Sequence, residues 1–196
     1  SKAFFEADVA RALKTFKKLS KHVKSFALTG GVLSAYYFDL LNYPLKQRKL
    51  SDLDIVVQHP SVAKNSIVDD FLVSHYHPVH DKGKFHIMLI DPDTRIRIDV
   101  FPPLSTVMDR VEPITISNVS FTGLPLEDLV SRLLSNCLLV LENKEIDPKY
   151  FCTMLSLYGS CNKMKIKNTW NDYGSESSFD EMYWAVLSKI KNNPEL

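Results

Sequence analysis

Two aspartates stand at the start of an apolar segment that otherwise has the composition of a buried β-strand. The segment is SDLDIVV, residues 51–57, and its acids are Asp52 and Asp54. Residues i and i+2 of a strand point to the same face, so the carboxylates are expected to project side by side, about 7 Å apart. Like charges this close resist ionisation unless a cation compensates them. Because hard oxygen ligands suit Mg²⁺ or Mn²⁺, the pair predicts a divalent-metal site.

A third acid, Asp99, lies in the later strand-like segment RIRIDVF, residues 95–101. Alternation along that segment puts Arg97 and Asp99 on one face and the isoleucines on the other. If the segment pairs beside SDLDIVV, Asp99 completes a cluster of three carboxylates. Such a cluster can hold two metals about 4 Å apart, the arrangement that serves phosphoryl transfer. Arg97 shares the face of Asp99 and is a candidate contact with phosphate or with a second substrate.

A phosphate-binding element is predicted upstream of the acids. The short apolar segment FALT is followed by Gly30 and Gly31, and the spacing of the apolar residues after it predicts an amphipathic helix that begins there. Glycines let backbone N–H groups approach an anion closely, and the N-terminus of a helix favours phosphate through its dipole. The basic stretch before the acids, which includes Lys49, supplies further candidate contacts with phosphate or acceptor; ordinary surface lysines are the alternative.

Together, LTGGVLSAYY, KLSDLDIVV and RIRIDVF resemble the nucleotidyltransferase superfamily to which DNA polymerase β belongs. The resemblance covers residues 25–101, and its spacing looks closest to AbiEii/AbiGii toxin-type or minimal nucleotidyltransferases. It implies an α+β fold, with a mixed β-sheet flanked by helices and followed by a small helical C-terminal region.

The resemblance also implies roles for individual residues. Gly30, Gly31 and Ser34 would hold the triphosphate of an NTP substrate. Asp52, Asp54 and Asp99 would bind Mg²⁺ or Mn²⁺, and Asp99 would help to deprotonate the attacking hydroxyl. The implied reaction transfers NMP to a hydroxyl of RNA (such as tRNA), of a protein or of a small molecule.

Several alternatives remain open. The fold could be retained as a binding or regulatory module, for example with a cognate antitoxin, or could serve antibiotic modification. In haloacid-dehalogenase phosphatases and many glycosyltransferases the apolar strand precedes the acids, whereas here the acids come first, which weakens those two interpretations. A zinc site at His75, His77 and His80 is a minor alternative, since no acid or cysteine completes it at a recognised spacing.

Hydrophobic periodicity and turn residues predict the other elements and two domains, a catalytic core over residues 1–123 and a helical region over 124–196. Helices are expected over 5–24, 61–74, 148–159 and 179–192, with another from residue 125. Strands 84–90 and 95–101 should form a hairpin about the turn Asp91–Thr94, since proline and aspartate favour turns.

Composition sets the remaining expectations. The chain has 196 residues, 45% of them hydrophobic, and a formal net charge of +1, which neither demands nor excludes a nucleic-acid partner. One face of the first helix carries a stripe of lysines: Lys14, Lys17, Lys18, Lys21 and Lys24. This stripe makes RNA a possible partner, with a solvated helix face as the alternative. Three cysteines without a CxxC pair indicate reduced thiols in a cytoplasmic protein. No segment is apolar over the length needed to span a membrane, so no membrane partner is expected.

Overall fold

The computed structural model describes residues 3–58, 66–78, 85–102, 106–173 and 176–192. Its longer elements follow in chain order: α1 (Glu6–Leu19), β1 (Phe26–Thr29), α2 (Gly30–Leu40), β2 (Asp52–Val57), α3 (Ile67–Asp70), β3 (Leu72–Pro78), β4 (Phe85–Ile90), β5 (Arg97–Phe101), β6 (Glu112–Ile116), β7 (Val119–Gly123), α4 (Leu126–Cys137), α5 (Pro148–Tyr158), α6 (Lys163–Tyr173) and α7 (Phe179–Asn192). Short 3₁₀ helices span Val107–Asp109 and Leu138–Glu142.

The strands form one mixed sheet in the order β3–β4–β5–β2–β1–β7–β6. The pairs β2–β5 and β1–β7 are parallel, and the other neighbouring pairs are antiparallel. One face of the central strands is apolar, because Leu53, Ile55 and Ile98 are completely buried. The predicted α+β class and mixed sheet are confirmed.

The chain divides into two compact units, Ser1–Leu124 and Pro125–Leu196. The first contains the sheet with α1, α2 and α3. The second contains α4 to α7, and its core includes the fully buried Leu134, Cys137 and Met154. Its three cysteines are free thiols, as expected.

Two elements differ from their predictions. The expected helix over 61–74 is helical only from Ile67 to Asp70, residues 61–65 lie outside the described residues, and β3 begins at Leu72. Leu72 and Val73 are exposed, so their apolar character did not mark a buried helix face, and pairing with β4 satisfies their backbone groups instead. The helix α6 was not predicted, although Ile166, Trp170 and Tyr173 form a buried stripe at helical spacing.

Helix α1 is attached to the sheet by a buried polar cluster. The Thr15 hydroxyl donates to Asp91 Oδ2 over 2.7 Å, and Lys18 Nζ lies 2.7 Å from Asp91 Oδ1. Thr15 also shares a 2.6 Å hydrogen bond with Thr94, and Lys18 pairs with Asp93 as well. Asp91, expected to be an ordinary turn acid, is therefore completely buried. Likewise, Lys18 is a structural ion-pair partner and not part of a free lysine stripe.

A second contact of α1 holds the chain just before the two acid-bearing strands. Arg11 Nη1 donates to the Thr94 carbonyl over 2.8 Å, and Arg11 Nη2 lies 2.6 Å from Asp8 Oδ1. The other oxygen of Asp8 accepts the backbone N–H of Leu50 at 3.0 Å. This backbone bond and the Arg11 guanidinium lower the pKa of the Asp8 carboxyl. Leu50 lies two residues before the start of β2 and Thr94 three residues before the start of β5, so α1 anchors the chain close to the beginning of both strands.

We expect Asp91→Ala to lower the free energy of unfolding by about 3 kcal/mol, because it removes the buried carboxylate that pairs with Lys18 and accepts the Thr15 hydroxyl. The matched control is Asp93→Ala. It removes the other, 75%-exposed partner of Lys18 and should cost less than about 1 kcal/mol. Urea denaturation of both variants measures the difference, and equal losses would contradict the assignment.

The contact of Asp91 with Lys18 also makes the stability of the protein depend on pH. Burial alone would raise the pKa of Asp91, but hydrogen bonds from Lys18 and Thr15 outweigh it, and the pKa lies below its ordinary value of 3.8. Because the pKa of Asp91 is lower in the folded than in the unfolded protein, the ionised carboxylate stabilises the fold above the ordinary value of 3.8. This contribution is lost as the pH falls through the folded-state pKa. The stability gap between wild type and Asp91→Ala should therefore narrow below pH ~4.

Candidate active site

The acid-bearing strands β2 and β5 lie side by side, as the three-carboxylate hypothesis required. Their parallel register pairs Asp54 with Asp99 and Asp52 with Arg97. Residues paired across neighbouring strands share a face of the sheet, and so do residues two apart on one strand. Asp52, Asp54, Arg97 and Asp99 therefore project from one face. Asp99 is buried, whereas Asp52 and Asp54 are half-buried.

Arg97 supplies the positive charge within this cluster. Its Nε donates to Asp99 Oδ2 over 2.9 Å, and its Nη2 lies 3.2 Å from Asp52 Oδ2. The guanidinium thus joins two of the three carboxylates, and its own side chain is 46% exposed. The repulsion expected between Asp52 and Asp99 is therefore compensated, within the chain itself, by the arginine between them.

His86 is a member of the site that the sequence reasoning did not assign. Its Nε2 lies 3.1 Å from Asp99 Oδ1, and its ring stacks face to face on Phe101 with centroids 4.9 Å apart. Both oxygens of Asp99 are therefore held, one by His86 and the other by Arg97. The predicted hairpin of β4 and β5 indicates this neighbour of Asp99. The register pairs Met88 with Asp99, and His86, two residues from Met88, lies on the same face.

The start of α2 meets the acid cluster at Asp54. Gly30 has φ +60°, and a Cβ built on it would lie 1.9 Å from Asp54 Oδ2. The backbone N–H of Gly31 donates to the same oxygen over a long 3.4 Å. Beside them, the buried Thr29 hydroxyl has no hydrogen-bond partner among the described residues, and Thr29 pairs with Asp54 across the strands. Glycine at position 30 is therefore required for the close approach of the Asp54 carboxylate to the helix start.

The other predicted nucleotide contacts have different surroundings. The Ser34 hydroxyl is buried and donates to the Gly30 carbonyl at 2.8 Å, within α2. Lys49 is exposed, and its charge acts on the Asp8 carboxyl. Arg48, in the same basic stretch, reaches the helix start: its Nη2 donates to the Gly31 carbonyl at 2.9 Å, and its guanidinium lies 5.1 Å from the centre of the Phe4 ring. Arg48, more than Lys49, is placed beside the two glycines.

The chemistry of the donor set fits a hard divalent cation. Asp52, Asp54 and Asp99 offer carboxylate oxygens from one face, which are the ligands that such a cation prefers. Within the described ranges, no three His, Cys, Asp or Glu side chains already stand in the arrangement of a metal site. The zinc alternative is not described in full, because His80 and the side chains of His75 and His77 lie outside the described residues.

Comparison with known proteins supports the fold. No family model matches the sequence, and no curated protein matches it. Among solved structures, the chain is similar to an antigenic nucleotidyltransferase-like protein from Paracoccidioides brasiliensis, with a TM-score of 0.50 at 13% identity, covering 96% of this chain and 88% of that one. It is also similar to JHP933 from Helicobacter pylori, with a TM-score of 0.34 at 13% identity, covering 98% and 97% of the two chains. The first of these similarities shows that the chain shares the fold of a nucleotidyltransferase-like protein.

No helix within the described residues has the length and apolar character needed to cross a membrane.

We expect Gly30→Ala to destabilise the protein by about 2 kcal/mol or more, because a residue with a Cβ is strained at positive φ and this Cβ overlaps Asp54. The matched control is Gly31→Ala. Its Cβ would lie 3.0 Å from the end of the exposed Arg48 side chain, which can move, so stability should change by less than about 1 kcal/mol. Chemical denaturation compares the two, and tolerance of both substitutions would contradict the proposed packing.

Proposed function

We propose that this chain is a metal-dependent nucleotidyltransferase that moves a nucleoside monophosphate from an NTP to an acceptor hydroxyl. The observation that carries the proposal is the parallel register of β2 and β5. It sets Asp54 opposite Asp99 and beside Asp52, at the start of α2. The nucleotidyltransferase-like fold agrees with it.

In the proposed reaction the acceptor oxygen attacks the α-phosphorus of the NTP. A bond forms between that oxygen and phosphorus, the bond from the α-phosphorus to the bridging oxygen breaks, and pyrophosphate leaves. Asp52, Asp54 and Asp99 would hold Mg²⁺ or Mn²⁺, which neutralises charge on the phosphates and the leaving group when bound.

The chain's own residues would position the reactants. Asp99 would take the proton of the acceptor hydroxyl, and the contacts of Arg97 and His86 with its two oxygens fix the orientation of its carboxylate. Gly30 and Gly31 let the phosphates approach the N-terminus of α2, where the helix dipole favours negative charge. Arg48 at this helix start, and Arg97 from the acid cluster, would be the basic contacts with the phosphates.

A second candidate function has an observation in its favour. Arg97 already compensates Asp52 and Asp99, and the Gly31 N–H already contacts Asp54. Because the carboxylates already have partners within the chain, the arrangement suits a binding or regulatory module. The narrower proposals, an AbiEii/AbiGii-type toxin with an antitoxin partner or an antibiotic-modifying enzyme, concern the acceptor and share the catalytic core described above.

We expect Asp54→Asn to reduce NMP transfer by at least about 100-fold, because the amide removes a negative charge from the proposed metal site while keeping the size of the side chain. The measurement is incubation with each labelled NTP, Mg²⁺ and cell extract, followed by identification of the labelled product. The matched control, Asp109→Asn, changes an exposed aspartate in another part of the sheet unit and should keep wild-type transfer. Undiminished transfer by Asp54→Asn would refute the proposal.

Arg97→Gln separates the two candidate functions. If the chain is an enzyme, loss of the guanidinium removes the positive charge that compensates Asp52 and Asp99. The variant should then bind Mn²⁺ several-fold more tightly than wild type, as measured by calorimetry without nucleotide. The same variant should bind NTP more weakly. Arg95→Gln, which alters an exposed turn arginine, is the control for both measurements. If neither wild type nor Arg97→Gln binds Mn²⁺ or NTP, the module is favoured over the enzyme.

A further inference from the structure

A groove of about 750 Å³ lies between the C-terminal half of α1 and the strands β1 and β7. Its walls include Lys17, Lys24, Phe26 and Phe121. We propose that this groove binds single-stranded RNA. The proposal goes beyond nucleotide transfer, because it concerns other residues and requires neither the acid cluster nor a bound NTP.

Aromatic rings form the floor of the groove. Leu28 pairs with Gly123 in the parallel pair β1–β7, so Phe26 and Phe121, each two residues earlier, lie side by side on one face of the sheet. The ring of Phe16 from α1 packs against both, with centroid distances of 6.0 Å to Phe26 and 4.8 Å to Phe121. Phe16 is buried, whereas Phe26 and Phe121 remain partly exposed. Two supported, accessible rings are a platform on which bases stack regardless of sequence.

The charged side chains that line the groove are all positive. Its walls carry Lys17 and Lys24, both exposed, and no aspartate or glutamate. Within the described part of the chain, neither lysine forms an ion pair, in contrast to Lys18, whose charge is taken up by Asp91 and Asp93. The unmatched positive charge is therefore complementary to a polyanion.

Three features together favour RNA over an acidic peptide. Lysines supply contacts with a phosphate backbone, flat rings supply stacking surfaces, and the hydroxyls of Ser20, Ser120 and Thr122 line the same groove. Of these hydroxyls, Thr122 donates to the Phe26 carbonyl, which secures β7 to β1, and Ser20 donates to the Phe16 carbonyl at the end of α1. An acidic peptide would use the lysines but has no bases to stack on Phe26 and Phe121. Stacking next to a basic groove is the mode by which proteins hold single strands.

The experiment measures fluorescence anisotropy of a labelled single-stranded RNA of about a dozen nucleotides, a length that suits such grooves. EDTA is present and NTP is absent, so the result does not depend on catalysis. The double variant Lys17→Ala/Lys24→Ala should bind at least about tenfold more weakly, and its dependence of log K on log salt should be shallower by about 1.4 for two lost phosphate contacts. The matched control is Lys165→Ala/Lys167→Ala, which removes two exposed lysines of α6 and should bind like wild type.

A second variant tests the rings. Phe121→Leu keeps apolar packing on Phe16 but removes the stacking surface, so RNA affinity should fall by about fivefold or more with the salt slope unchanged. Cross-linking of 4-thiouridine RNA to the wild-type protein does not depend on the folding of any variant, and it should label segments 17–26 and 119–122. Absence of RNA binding, equal loss in the α6 control, cross-links confined to other segments, or equal binding of a glutamate-rich peptide of the same charge would each overturn the proposal.

Discussion

The parallel pairing of β2 with β5 is the constraint on which the candidate site depends. Asp54 and Asp99 are far apart in the sequence, and only this register places them opposite one another. A slip of one residue would turn one of the two strands' acids to the apolar side, where Leu53, Ile55 and Ile98 are completely buried. Burying those side chains therefore excludes a one-residue slip, and the observed register sets Asp54 opposite Asp99. The hydrophobic side of the sheet determines the geometry of its polar side.

Helix α1 contributes to that register from the outside. Arg11, Thr15 and Lys18 recur at helical spacing, and all three contact the turn that leads into β5. Asp8, one turn earlier, accepts the backbone N–H of Leu50, two residues before β2. Polar side chains on a helix are usually assigned to solvent, but here they form the joint between a helix and two strand ends. Because Thr15 and Asp91 at its centre are completely buried, their polar atoms need partners, and this gives the contact a directional specificity that apolar packing lacks.

Much of the fold was predictable because its signals are local. The acid-first strand, the glycine pair before a helix and the hairpin about residues 91–94 are short patterns with a physical cause, and the structure contains all three elements. What the sequence did not reveal depends on partners distant along the chain. Asp91 looks like any turn acid until Lys18 lies against it, and His86 looks like a neighbour of other histidines until β4 pairs with β5. The role of Arg97 as a bridge between Asp52 and Asp99 likewise needs the strand register, whereas the roles of the site residues in catalysis stay predictions.

The joint between α1 and the β4–β5 turn also orders events during synthesis. Thr15 and Asp91 are separated by 76 positions, so this bond cannot form until most of the sheet unit has left the ribosome. Asp52 and Asp54 emerge well before Asp99 and Arg97, and contacts of such long sequence separation form slowly. During that interval the first two acids have neither their third carboxylate nor their arginine. A growing chain therefore exposes an acidic pair without an assembled site, and the complete constellation exists only once the fold around it has closed.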